Sequence, residues 1–234
     1  MFHIRFATDR LFHRLKVKNR HGVHSPFVYH LVDTVIYDFS DKKVYQEVEN
    51  IRAQLIRDHH ISLFNSPKLD QLQYRLIAEQ QPETIIEINS DAGISTLYLQ
   101  KAAPAAKVYV FQYLAHKKPY IKENFSKAGV NNIELISGYY DPKVQELIDS
   151  LDKVDAVFIN GDYLAMLKYF EMCLPKVRDN TMLIFSGIYR DEKMKSSWRR
   201  IKTNPQVKVT IDLFHIGLVF FKQGQVKEDF RIRI

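Results

Sequence analysis

The residues best placed to do chemistry lie in TIIEINSDAGISTLYL, residues 84–99. Glu87, Asn89, Ser90 and Gly93 sit between the apolar run Ile85, Ile86, Ile88 and a second apolar series beginning at Ile94. That order reads as a buried strand, a polar turn and a helix start. The first N–H groups of a helix have no intrahelical partner, so the layout offers backbone donors to a small polar or phosphate-like group. It is the opening unit of a nucleotide-type α/β domain. Asn89 stands in the turn where a glycine is expected, and Gly93 is the glycine that remains. A second polar turn, ISGYYD (136–141), carries Gly138, Tyr139, Tyr140 and Asp141, with Asp141-Pro142 opening a helix.

The elements that must hold these turns follow from apolar spacing. Strands are expected at about 84–88, 107–112, 132–136, 154–159 and 181–185, and helices near 93–103, 116–129, 141–151, 162–175 and 190–203. Alternation of this kind implies right-handed crossovers and a parallel sheet. The stretch VTIDLFHIGLVFFK (209–222) reads as two strands joined by a tight turn at His215–Gly217, hence antiparallel. Ahead of the first strand, Ser25-Pro26 and Ser66-Pro67 each start a helix, and a third covers about 42–58. The expected organisation is a helical cap over 1–80 and an α/β domain over 81–234.

At 234 residues, with 46% hydrophobic and 26% charged side chains, the composition is that of a globular protein with a sizeable core. Cys173 is the single cysteine, which excludes an intramolecular disulfide and fits a reducing compartment. No apolar run reaches the roughly 20 residues of a membrane span, and the N-terminus lacks a signal-peptide pattern; the expected location is the cytoplasm. The net charge of +7 is concentrated at the start: residues 1–24 carry six Lys and Arg against Asp9, or +5. Such a block suits nucleic acid or an anionic membrane surface. The alternative is a basic amphipathic helix packed through Phe2, Ile4, Phe6, Leu11, Phe12 and Leu15.

KNRHGVHSPFVY (18–29), GISTLYL (93–99), KYFEMCLPKV (168–177) and TIDLFHIGLVFFK resemble an O-methyltransferase-like family of Bacteroidetes within the class I S-adenosylmethionine-dependent methyltransferases. The resemblance covers nearly the whole chain. It implies a Rossmann-like sheet of five parallel strands closed by a C-terminal antiparallel hairpin, behind an N-terminal helical cap. It also implies a cofactor, S-adenosylmethionine, at the carboxyl ends of the strands. By this resemblance Glu87, Asn89, Ser90 and Gly93 flank the methionine part, and Gln112 meets the ribose hydroxyls where an acidic residue is usual. The loop at Gly138 then flanks the adenine, with Tyr139 or Tyr140 to stack on it and Asp141 to accept from its exocyclic amine, while Asn160 replaces the aspartate of Phe-Ile-Asp-Gly.

A neutral Gln112 forgoes a charge-assisted bond, a loss of roughly tenfold in affinity. The acidic pair that holds a divalent cation in catechol-type enzymes is replaced by Ser186-Gly187, so no metal is expected. Asp162 and Asp191 read first as solvated helix-start residues, and Asp162 is the candidate general base for an alcohol or phenol acceptor.

Three functions are open on the sequence. The first is a metal-independent O-methyltransferase acting on a small-molecule acceptor, with a partly degenerate, weak cofactor site. The second is an inactive methyltransferase-fold scaffold that has lost the cofactor and acts through protein contacts. The third is a nucleic-acid-associated methyltransferase or binder. Homo-oligomerisation is open as well. His21, His24 and His30 lack the spacing and partners of a zinc site; the resemblance makes His24 and Tyr29 candidates to line a lid. His59-His60 ends a helix, and Trp198 is read as a helix-face residue packing on the sheet.

Overall fold

The computed structural model describes residues 2–15, 17 and 24–234. In chain order its elements are α1 (Phe2–Leu15), α2 (Pro26–His30, continuing as a π-helical turn Leu31–Ile36), α3 (Lys43–His59), α4 (Pro67–Gln80), β1 (Thr84–Ile88) and α5 (Ile94–Ala102). There follow β2 (Lys107–Gln112), α6 (Lys118–Ala128), β3 (Ile133–Ser137), α7 (Asp141–Ser150), β4 (Ala156–Ile159) and α8 (Tyr163–Cys173). The chain ends with β5 (Met182–Ser186), α9 (Glu192–Thr203), β6 (Val209–Asp212), β7 (Ile216–Phe220) and β8 (Glu228–Arg231). His21 and the first part of KNRHGVHSPFVY lie outside the described residues.

The chain forms two compact units, one of residues 38–144 and one of the residues up to 37 with 145–234. In the first, β3, β2 and β1 pair in parallel in that order. Helix α4 packs on α5, and α3 packs on α5 and α6, so these N-terminal helices share a core with the first strands. Beneath them the Arg52 guanidinium donates to Asp70, to Glu49 at 2.9 Å and to the Asn65 carbonyl at 3.1 Å. Burial raises the Asp70 carboxyl to about 6, against the opposing pull of Arg52.

In the second unit β4 and β5 are parallel, and β5 continues into β7-β6-β8. β7 is antiparallel to both β5 and β6, as the direct connection requires. The connecting turn lies at residues 213–215, with Phe214 in the left-handed region at φ 69°. The expected turn at His215–Gly217 is thus displaced by two residues. Gly217 belongs to β7, opposite Phe185 and Asp212, and a Cβ there would stand 2.6 Å from the Trp198 ring. The fully buried Trp198 packs on the sheet as expected, and glycine gives it room. β8 is a strand the sequence reading missed; it runs parallel to β6 and buries Phe230.

Helix α1 also corrects an expectation. Leu11, Phe12 and Leu15, expected to pack inward, are 57%, 61% and 72% exposed. The inward face is Phe6, Asp9 and His13. Phe6 meets Phe214 edge-on at 5.0 Å, Asp9 pairs with Lys195 at 2.5 Å, and the His13 imidazole bonds the Asp212 carboxylate at 3.0 Å.

Candidate functional site

The turn between β1 and α5 keeps the backbone of a glycine turn without its first glycine. Asn89 takes φ 59°, a conformation Asn tolerates better than most residues, and its N–H donates to the Phe111 carbonyl at 2.7 Å. Gly93 caps α5 at φ 80°. A Cβ on Gly93 would lie 3.0 Å from Phe125 and 3.2 Å from Ile121, so glycine is required by backbone and by space alike. Asp91, which the sequence reading passed over, braces the turn from outside. It accepts from the Phe64 N–H at 2.8 Å and pairs with Lys117. From below, the Asn124 amide donates to the Ala92 carbonyl at 2.8 Å.

Glu87 faces inward, fully buried. Its carboxylate accepts the hydroxyls of Ser95 and Thr96, each at 2.5 Å, from the first turn of α5. Burial raises its carboxyl from 4.5 to about 7, and those two hydroxyls oppose the shift. Buried Ser90 bonds the Thr96 hydroxyl at 2.9 Å. Glu87 and Ser90 thus tie strand to helix and fix the direction of the α5 N-terminus.

Gln112, at the end of β2, is committed internally. Its amide nitrogen donates to the carbonyls of Ser90 and, at 3.2 Å, Asp91; its amide oxygen accepts from the Leu114 N–H at 3.0 Å. Gly138 lies beyond β3 at φ 96° and donates its N–H to the Gln112 carbonyl at 3.0 Å. Asp141 opens α7 as expected. The two tyrosines between them differ. Tyr140 is buried, donates to the Asn89 side chain at 2.7 Å and rests against Phe111 and Tyr113 at 5.6 and 6.4 Å. Tyr139 is 72% exposed and is the ring of the pair open to a flat ligand. Glu87, Asn89, Ser90, Gly93, Gln112, Gly138, Tyr139 and Asp141 are therefore brought together by the carboxyl ends of three adjacent parallel strands.

In the other unit, Asn160 follows β4 and Ser186 ends β5; the Ser186 hydroxyl donates to the Asn160 side-chain oxygen at 2.5 Å. The Arg190 guanidinium donates to the Gly161 carbonyl at 2.9 Å. Asp162 caps α8, its Oδ1 accepting from the N–H groups of Leu164 and Ala165 at 3.0 and 2.9 Å. Asp191 caps α9 in the same way. The sequence reading missed Asp212, which gathers His13, the Tyr189 hydroxyl at 2.8 Å and the Phe214 N–H at 3.0 Å. Burial works against its charge, but the bonds from His13 and Tyr189 win and hold its carboxyl below the ordinary range. Among the described residues no three His, Cys, Asp or Glu side chains gather to hold a metal ion.

No protein-family model matches the chain. The catechol O-methyltransferase of Niastella koreensis is 23% identical over 117 residues, 49% of this chain and 53% of that protein; the chain thus matches about half the length of this relative. An O-methyltransferase from Bacillus cereus, crystallised in complex with SAH, superposes with a TM-score of 0.64 at 17% identity, over 82% of this chain and 96% of that one. The O-methyltransferase TomG of Streptomyces achromogenes, crystallised with SAM, gives 0.62 at 16% identity, over 83% and 95%. With parallel strands β3-β2-β1, parallel β4-β5 and the antiparallel β7-β6 pair, the chain has the Rossmann-like fold of these class I O-methyltransferases.

Proposed function

We propose that the protein is an S-adenosylmethionine-dependent O-methyltransferase that works without a metal and holds its cofactor weakly. The observation that carries this reading is the β1–α5 turn. Asn89 and Gly93 both adopt left-handed backbone there, so the turn keeps its path into α5 although one glycine is gone. The turn fits the methionine end of the cofactor, and Tyr139 exposes its ring for the adenine beside Asp141 at the start of α7. Gln112 does not fit the ribose in the usual way: both ends of its amide are already bonded to the protein. Loss of that acceptor supports weakened binding.

The bound cofactor supplies an electrophilic sulfonium methyl. The chain's part is to orient it and an acceptor oxygen in line, a positioning effect. Asp162 carries two tasks in this reading: it caps α8 through Oδ1, and it takes the proton of an alcohol or phenol acceptor. Metal independence rests on donor chemistry, because Asn160 and Ser186 offer neutral oxygens already bonded to each other, a poor set for a hard dication. Methyl-labelled S-adenosylmethionine offered with a panel of phenols and catechols, with and without a chelator, tests the proposal. Labelled ether that is insensitive to chelator is the expected product; transfer abolished by chelator contradicts metal independence.

A second reading, the inactive scaffold, is favoured by the same commitment of Gln112. It predicts a folded protein with no affinity for the cofactor.

A further inference from the structure

An amphipathic helix ordinarily turns its large apolar residues inward. In the last turns of helix α1 the large apolar residues point outward instead. Its buried positions include Asp9 and His13, and beside the Phe6–Phe214 contact its anchors are polar: Lys195 on Asp9, Asp212 on His13, and Glu192 on Arg5 at 3.7 Å. Leu11 and the adjacent Phe12, with Leu15 one turn further on, form a continuous outward stripe. Arg10 and Arg14, also one turn apart, are exposed along one border of that stripe. A helix docked largely by polar contacts, with three large hydrophobes left to solvent, has a face built for something else.

We propose that this face of α1 binds an anionic lipid surface, with Leu11, Phe12 and Leu15 entering the headgroup–acyl boundary and Arg10 and Arg14 meeting the lipid headgroups. Charge selects this occupant. Residues 1–24 carry +5 and the chain +7, so a second copy docked here would oppose two basic segments. An anionic bilayer complements both properties at once, apolar area and positive border. The polar docking of α1 on α9 and β6 holds the helix in place while its outer face stays available.

Sedimentation of the whole protein with vesicles tests the proposal. Wild type is expected to pellet with equimolar phosphatidylserine and phosphatidylcholine, not with phosphatidylcholine alone, and to be released by added salt. Substituting Phe12→Ser together with Leu15→Ser should abolish pelleting with no change in thermal melting, since both side chains are exposed. Each of Arg10→Ser and Arg14→Ser should weaken binding about fivefold. Absence of wild-type binding to either vesicle overturns the proposal, as does undiminished binding by the Phe12→Ser, Leu15→Ser protein. A dimer in light scattering that the same double substitution dissolves would assign the face to a second copy, and retention on oligonucleotides instead of vesicles would assign it to nucleic acid; either result overturns the lipid assignment.

Discussion

The side-chain amide of Gln112 donates to the backbone carbonyl of Ser90, stapling the end of β2 to the turn that leaves β1. A second bond to the Asp91 carbonyl and one accepted from the Leu114 N–H complete the staple. Glutamate, the type of residue usual here in the family the chain resembles, has no N–H to give and would point oxygen at two carbonyls. Gln112→Glu should therefore cost about 1–3 kcal/mol, the penalty for buried polar groups left unpaired. A lowered urea midpoint at unchanged slope is the expected readout. Cofactor affinity should not rise in this variant, because the turn it relies on has lost its brace.

Two glycines are required by space. Gly93→Ala places a methyl 3.0 Å from Phe125 on backbone at φ 80°, strain of about 1–3 kcal/mol. Gly217→Ala drives a methyl to 2.6 Å from Trp198 and should cost about 1–3 kcal/mol. In the second variant the emission of the single tryptophan should also shift, which separates local displacement from general weakening.

Burial raises the Glu87 carboxyl from 4.5 in the unfolded chain to about 7 in the folded one. Its contribution to stability is therefore fully present below about 4.5 and disappears as pH rises through about 7. Asp70, raised from 3.8 to about 6, declines in an overlapping window. Glu87→Gln should flatten the fall in stability across this range by on the order of 3 kcal/mol, leaving the smaller share of Asp70. Urea unfolding of both proteins at about pH 5 and about pH 8 measures the difference. Parallel curves would contradict the buried, protonatable state of Glu87.

Asp162 offers a clean separation of structure from chemistry. Asparagine caps a helix as well as aspartate, whereas alanine does not. Asp162→Asn should leave stability unchanged and lower kcat by about a hundredfold, a typical general-base contribution. Asp162→Ala should lose about 1 kcal/mol of stability in addition. If the Asn variant keeps full kcat, Asp162 is a cap alone.

Much of the fold was legible because each central strand is an apolar run between amphipathic helices, and because β6 and β7 follow one another with no room for a crossover. β8 was not, since EDFRIRI hides two buried positions, Phe230 and Ile232, among charged neighbours; its alternation was the available signal. Helix α1 was misread because spacing reports which residues share a face, not what that face meets. His13 and Asp9 are buried only because Asp212 and Lys195, some 190 residues away, receive them. The candidate site divides the same way. The left-handed turn at Asn89 could be read from residue type, but the staple made by Gln112 could not, because its partners are backbone atoms 22 and 21 residues earlier. Asp91 was likewise invisible until Lys117 and the Phe64 N–H were seen to converge on it.

The most direct test of weak but retained cofactor binding is calorimetric titration of the purified protein with S-adenosylmethionine and S-adenosylhomocysteine. Saturable heat is expected for both, with affinity roughly tenfold below that of a site with an acidic ribose anchor. No heat and no thermal stabilisation at millimolar ligand would contradict it and leave the inactive scaffold as the reading of this chain.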